Sequence, residues 1–185
     1  MSLMRPIIVA TTFCMALVLG GCSTLPVGNP SPPAPARPVD LSLYQGLWYE
    51  FARYDHGFER GCHGVTAEYA LEPSGHVRVI NTCRVGSATG KVRVAVAKAK
   101  PTGDPMNAKL KVAFFGPFYI GSYWVLDRAD DYSWAIVGEG SGRYLWILTR
   151  MATPGPEDRE ALVARARRLG YDTSLLQFPQ QPPGG

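Results

Sequence analysis

The chain is poor in the residues that usually do chemistry. Its 185 residues include 4 cysteines and 3 histidines. None of these falls into a C-x-x-C or H-x3-H spacing, which argues against a structural zinc site. No nucleophile elbow, phosphate loop, zinc-helix motif or carboxylate pair stands out. Gly140-Ser141-Gly142 reads as a hairpin turn, and Ser141 has no visible catalytic partner. Charge of one sign is also scarce. The net charge is +4 with 18% charged residues, and only Arg165, Arg167 and Arg168 lie close together. That excludes a nucleic-acid footprint and leaves at most a mild attraction to anionic lipid headgroups. The apolar run from Ile7 to Leu19 falls short of the ~20 residues that span a bilayer.

What is present begins with an address. Arg5 precedes the apolar run, which ends in Leu19-Gly20-Gly21-Cys22. Small residues before such a cysteine are close to the bacterial lipobox, so 1–21 reads as a lipoprotein signal peptide. Cys22 becomes the acylated amino terminus, carrying chains such as palmitate. Each buried methylene contributes about 0.8 kcal/mol, so several chains anchor the protein durably. Ser23, rather than Asp, resembles an outer-membrane address, with the domain on the periplasmic side. Residues 22–39 read as a tether, because Pro26, Pro30, Pro32, Pro33, Pro35 and Pro38 favour extended backbone without a core. At about 3.1 Å per residue it would hold the domain up to about 50 Å from the membrane.

The remaining 46% hydrophobic composition suits one globular domain. From Gly46 onward, alternating segments separated by turn signals predict eight short strands. They run 46–54, 65–71, 76–81, 91–100, 109–115, 118–127, 132–137 and 144–149. The predicted class is all-β, an eight-stranded up-and-down antiparallel barrel that hides its edges and has room for one small ligand. One helix follows. Pro156 sits at its first position, Glu157 and Asp158 in its first turn, and Gly170 at its end. Leu162, Ala166 and Leu169 form a stripe that should pack outside the barrel. A short extended piece after Tyr171 would add to the sheet, and 179–185 reads as a loose tail.

Cys62 and Cys83 flank the hairpin around Glu72-Pro73-Ser74-Gly75. Pairing Leu71 with His76 brings the cysteines within about two residues of facing each other, so an exported protein favours a disulfide. The rival is a metal site of Cys62, His63, His76 and Cys83. His56 and His76, in or beside loops, read as solvated.

Several runs then carry a resemblance. Gly46 and Trp48 match the G-x-W motif at the base of lipocalin barrels. Leu126 to Tyr132 is similar to the family's second motif, and Arg150 matches the basic residue ending its eighth strand. Trp48-Tyr49-Glu50-Phe51-Ala52-Arg53, Phe58-Glu59-Arg60-Gly61, Phe114 to Tyr119 and Tyr144 to Arg150 resemble the membrane-anchored bacterial lipocalins. The likeness covers about residues 40 to 178. It implies a lipocalin (calycin) fold, with fatty acid or lysophospholipid held in the cavity for lipid storage, transport or envelope maintenance. It implies no cofactor.

If Trp48 points inward, period-two alternation selects the lining. The candidates are Ala67, Tyr69, Val77, Val79, Leu110, Val112, Phe114, Tyr119, Tyr123, Val125, Tyr144, Trp146 and Leu148, with Gly46, Trp48 and Arg150 structural. Ile120, Trp124 and Trp134 fall outside. The fourth strand is ambiguous, since Val92, Val94 and Val96 share a face with Lys98. An apolar lining with tyrosine hydroxyls suits a lipid with a polar head. Two other readings stand beside this non-enzymatic one. An isomerase or lipid-modifying enzyme would need a titratable group inside, for which Glu50 is the candidate. A filled barrel would instead serve as an envelope interaction module, docking or forming a homodimer through exposed apolar side chains.

Overall fold

The computed structural model describes residues 27–183, so the signal peptide, Cys22 and the last two residues lie outside the described residues. Nine strands form one antiparallel sheet. They are β1 (Gly46–Tyr54), β2 (Cys62–Leu71), β3 (Val77–Val85), β4 (Lys91–Pro101), β5 (Lys109–Ala113), β6 (Gly121–Arg128), β7 (Trp134–Gly138), β8 (Leu145–Thr149) and β9 (Leu176–Gln177). Strands β1 to β8 pair with their sequence neighbours, and β1 pairs β8 to close the barrel. The two-residue β9 pairs the upper half of β1. Helix α1 (Leu41–Tyr44), capped by Asp40, enters the base, and α2 (Pro156–Arg168) packs outside.

Helix α2 behaves as its stripe predicts. Leu162 and Ala166 are buried with Leu126, Ile136, Leu145 and Ile147, and Trp124, Trp134 and Leu169 pack on that cluster. The Arg165 guanidinium lies 4.7 Å from the Trp134 ring, and its Nε is 3.1 Å from the Asp127 carboxylate. The helix therefore covers Trp134, whereas the Trp124 ring lies under Lys109 Nζ of β5 at 4.4 Å. The fourth strand is resolved too. Ala97 and Ala99 are buried, whereas Val92, Val94 and Val96 are 46%, 55% and 54% exposed on the outer face.

The proline-rich stretch departs from the free tether. Residues 27–39 are docked along the barrel. The amides of Gly28 and Asn29 donate to the Gly142 carbonyl, each at 3.1 Å, and Asn29 Nδ2 donates to the Leu169 carbonyl at 3.0 Å. Further down, the Ala36 amide donates to Leu126, Arg37 pairs with Asp127 and Asp130, and the Val39 amide donates to Met106. Prolines remove donors, yet the amides of Gly28, Asn29, Ala36 and Val39 each find a barrel carbonyl. Gly142 makes this possible. Its φ is +67°, and a Cβ there would overlap the Asn29 carbonyl. The strap thus runs from the β7–β8 loop down to the β4–β5 loop.

The described part of the carboxyl-terminal tail is likewise docked, through Gln180 and Gln181. Strands β1 and β2 pair only over Gly46–Tyr49 and diverge above it. Gln181 Nε2 bridges the gap, donating to the carbonyls of Glu50 and Val65 at 3.1 Å each, and the Gly64 amide donates to Gln180. The β2–β3 hairpin is offset from expectation, with Leu71 opposite Val77 rather than His76, and a bulge lies between His63 and Thr66. Cys62 and Cys83 form the disulfide, which removes both thiolates from any metal site.

Candidate functional site

The base of the barrel is built on Trp48, which is fully buried. Its Nε1 donates to the Tyr44 carbonyl at 2.8 Å, and the Arg150 guanidinium lies over its ring at 3.8 Å. Arg150 also donates to the carbonyls of Leu43, Tyr44, Gln45, Leu47 and Tyr132. Helix α1 is too short to satisfy its own carbonyls, so the guanidinium supplies the missing donors. The planar fork does this while stacking on the indole, which an ammonium could not.

Above the base lies a tyrosine cluster. The Tyr123 hydroxyl is 2.8 Å from both the Tyr44 and the Tyr69 hydroxyls. Burial pushes all three phenols well above their ordinary range, so they stay neutral and can share protons as hydrogen bonds. Around them are Ala67, Val77, Val79, Ala97, Ala99, Leu110, Val112, Val125, Ala135 and Leu148, all buried in one cluster with Trp48. The period-two assignment thus places Ala67, Tyr69, Val77, Val79, Leu110, Val112, Tyr123, Val125, Trp146 and Leu148 together inside.

Higher up, the interior becomes charged. A bulge between Glu50 and Ala52 shifts the parity of β1, and Arg53 then pairs opposite the inward Trp146. Arg53 Nη1 donates to Glu50 Oε1 at 2.6 Å, with both side chains almost fully buried. The β1–β2 loop adds Glu59, whose carboxylate is 3.8 Å from Arg53 Nε, 3.1 Å from His56 Nε2 and 3.2 Å from the Trp146 indole nitrogen. Burial, then the nearby Glu59 charge, raise Glu50 well above the usual carboxylate range, with Arg53 opposing. Burial would raise Glu59 too, but His56, Trp146 and Arg53 outweigh it and hold that carboxyl low. Of the two acids, Glu50 is the one that holds a proton more tightly. Glu50, the residue on which an enzymatic reading rested, is tied to Arg53.

The mouth is aromatic. Phe58 stacks on His56 at 3.9 Å and lies within 6.5 Å of Phe114, Tyr144 and Trp146. Two expectations change here. His56 is fully buried rather than solvated, because the β1–β2 loop folds over the lumen. Tyr119 is not in the lining. Its ring lies under Lys100 Nζ at 4.5 Å and near His76, on the outer face of β4. Phe114 stands at the rim, 45% exposed, and Tyr144 is half-buried just before β8.

Alternation missed Tyr44, Arg53, His56, Phe58 and Glu59. Tyr44 comes from a helix of four residues, too short to show a period. Arg53 needs the bulge, whose one trace is the apolar pair Phe51-Ala52 that breaks alternation.

These features define a one-ended barrel: an up-and-down sheet sealed at its base by a tryptophan–arginine pair, with an aromatic and charged mouth. The family model described as a lipocalin-like domain matches residues 39–181. The outer membrane lipoprotein Blc of Escherichia coli is 40% identical over 96% of this chain and 97% of its own length. The protein of the same name from Vibrio cholerae is 38% identical over 90% of this chain and 94% of its own. Insecticyanin of Manduca sexta shares the fold, with a TM-score of 0.65 at 20% identity, covering 83% of this chain and 87% of that one. The chain belongs to the lipocalin family. Its location is the outer membrane, to which it is lipid-anchored, and its relatives support a lipid-binding role.

Proposed function

We propose that the barrel binds a single-chain lipid, a fatty acid or lysophospholipid, on the periplasmic side of the outer membrane, for lipid storage, transport or envelope maintenance. The observation that carries this reading is the gradient inside the barrel. At the base the side chains are sealed around Trp48, and the wall contributed by β4 is made of Ala97 and Ala99. Toward the mouth, Ala95 and Phe114 are exposed although their parity points inward. Strand β5 pairs no residue of β4 before Lys98, so the upper wall opens on that side. Apolar side chains below suit an acyl chain, and Arg53, His56 and Glu59 near the mouth suit a zwitterionic or anionic head. Extraction after bacterial expression, followed by native mass spectrometry, should show retained lipid. A clean apo species that also fails to take up fluorescent fatty acid or lysophospholipid would sink the proposal.

We assign a homodimer, if sedimentation detects one, to the outward stripe of Val92, Val94 and Val96 beside Ile80, where β3 and β4 pair. Sedimentation that stays monomeric after serine replacement but not before would support this.

A further inference from the structure

The disulfide at the mouth has a cation set against it. Cys62 ends the β1–β2 loop and Cys83 belongs to β3, and both are almost fully buried beside Val65. Arg93 of β4 stands directly opposite Cys83, on the same face as the buried Ala97 and Ala99. Its Nη2 donates to Cys62 Sγ at 3.1 Å, to Cys83 Sγ at 3.7 Å and to the Phe58 carbonyl at 2.9 Å. None of the ion pairs among the described residues includes Arg93. One guanidinium thus joins the covalent bond to the loop that folds over the lumen. The β2–β3 ladder is interrupted between His63 and Thr66, just past Cys62, so the bond ties down the loop's end where backbone pairing is weakest.

We propose that Cys62–Cys83 is an exchangeable disulfide, opened by a dithiol with Cys62 as the departing sulfur, and that opening it unlatches the β1–β2 loop. A guanidinium beside sulfur stabilises the thiolate formed when the bond breaks, which a purely structural staple does not require. The shorter contact is to Cys62, so negative charge is accommodated best there, and the sulfur that carries charge more easily leaves faster. A thiolate of the dithiol attacks Cys83 Sγ, the bond to Cys62 breaks, and its electron pair leaves on Cys62 Sγ. The dithiol's second thiolate then attacks the dithiol sulfur held by Cys83, and Cys83 departs as a thiolate. Two electrons pass to the protein, the dithiol ends as a disulfide, and its two protons go to the cysteines or to solvent. Both cysteines are nearly buried, so the attacker reaches Cys83 when the loop swings out, and whatever holds the loop down protects the bond. Reduction and loop opening therefore favour each other. A lipid in the lumen enters through that linkage, and this arm alone rests on the lipid-binding reading.

The test uses the mature acylated protein in detergent micelles. Equilibration in glutathione buffers, then alkylation and mass analysis, gives the reduced fraction. Arg93→Gln should make reduction about tenfold less favourable, a shift of about 30 mV. The trapped mixed disulfide should carry glutathione on Cys83 and the alkyl group on Cys62. An unchanged equilibrium in Arg93→Gln, or glutathione on Cys62, overturns the assignment. Hydrogen exchange reads the loop. On reduction with dithiothreitol, the amides of Glu59 and Cys62, bonded to the His56 and Glu59 carbonyls, should exchange about tenfold faster. The Arg150 amide, bonded to Ser133 at the base, should keep its rate. Equal acceleration at both ends, or none in the loop, overturns the latch. Cys62→Ser/Cys83→Ser should reproduce the reduced pattern, and reduction of the parent decides the matter should that variant fail to fold. Reduction should also speed release of a bound fluorescent fatty acid several-fold, and the loaded protein should be reduced more slowly than the empty one. Unchanged rates overturn the linkage to the lumen. A parent that binds no fatty acid overturns the lipid-binding reading alone, and hydrogen exchange still decides the latch.

Discussion

Arg150 and Trp48 meet at 3.8 Å, and the same guanidinium donates to five carbonyls, four of them in the chain from Leu43 to Leu47. The pair is a lid in which one cation satisfies α1 and stacks on the indole. Arg150→Met would leave those carbonyls and the ring unpartnered, at a cost of about 2–4 kcal/mol. Arg150→Lys should recover less than half, since an ammonium cannot span the fork. Urea unfolding at unchanged slope measures both. Equal midpoints for the parent and the methionine variant would refute the lid.

Tyr123 is the hub of the tyrosine cluster, so Tyr123→Phe should cost more than Tyr69→Phe. The first leaves two buried hydroxyls without partners, about 1–3 kcal/mol, whereas the second leaves the Tyr44–Tyr123 bond intact. Because burial raises these phenols in the folded state, stability should fall as pH climbs above their ordinary value near 10. A double-mutant cycle of Tyr44→Phe and Tyr123→Phe would expose the coupling. Strict additivity would argue that the hydroxyls do not act together.

How far this site was legible depends on periodicity. Strand β2 alternates from Thr66 to Tyr69 and β3 from Val77 to Val79, so Ala67, Tyr69, Val77 and Val79 are placed inside from that alone, whereas β6 carries a bulge between Val125 and Asp127. The Trp48–Arg150 closure was readable from motif and strand order. Arg53 was not, because a single bulge reverses its face and leaves little trace in composition. The docking of the strap is hidden in the sequence for a different reason. Proline argues against helix and central strand, but an extended segment can still dock through isolated amides such as those of Gly28, Ala36 and Val39. Tyr119 escapes strand parity because β6 starts at Gly121 and the residue lies in the loop before it.

The strap itself makes a prediction. Gly142→Ala requires a left-handed alanine and collides with the Asn29 carbonyl, so the upper strap should detach. Asn29→Ala removes the bond to the half-buried Leu169 carbonyl, a milder loss of about 1 kcal/mol. The amide of Ala36, bonded to Leu126, reports the lower strap by hydrogen exchange. In Gly142→Ala the Asn29 amide should exchange much faster while Ala36 changes little. Unaltered exchange at Asn29 would show that the glycine is not what holds the strap.

The two acids that flank Arg53 should respond to pH in opposite directions. Glu50 is held above the ordinary carboxylate range, so the folded state binds its proton more tightly than the unfolded chain does. Stability contributed by the protonated form is therefore lost as pH rises from the ordinary range through the raised value. Glu50→Gln keeps a neutral side chain of the same shape, so its stability relative to the parent should improve as pH rises over that window. Glu59 is held below the ordinary range by His56, Trp146 and Arg53 against the penalty of burial. Its contribution is present above the ordinary value and disappears as pH falls through the lowered one. Glu59→Gln should thus be most harmful near neutrality and approach the parent in acid. Thermal melts of the three proteins from acid to neutral pH give two difference curves of opposite slope. Curves of the same slope would mean that the carboxylates do not divide the proton as the geometry of Arg53 and His56 requires.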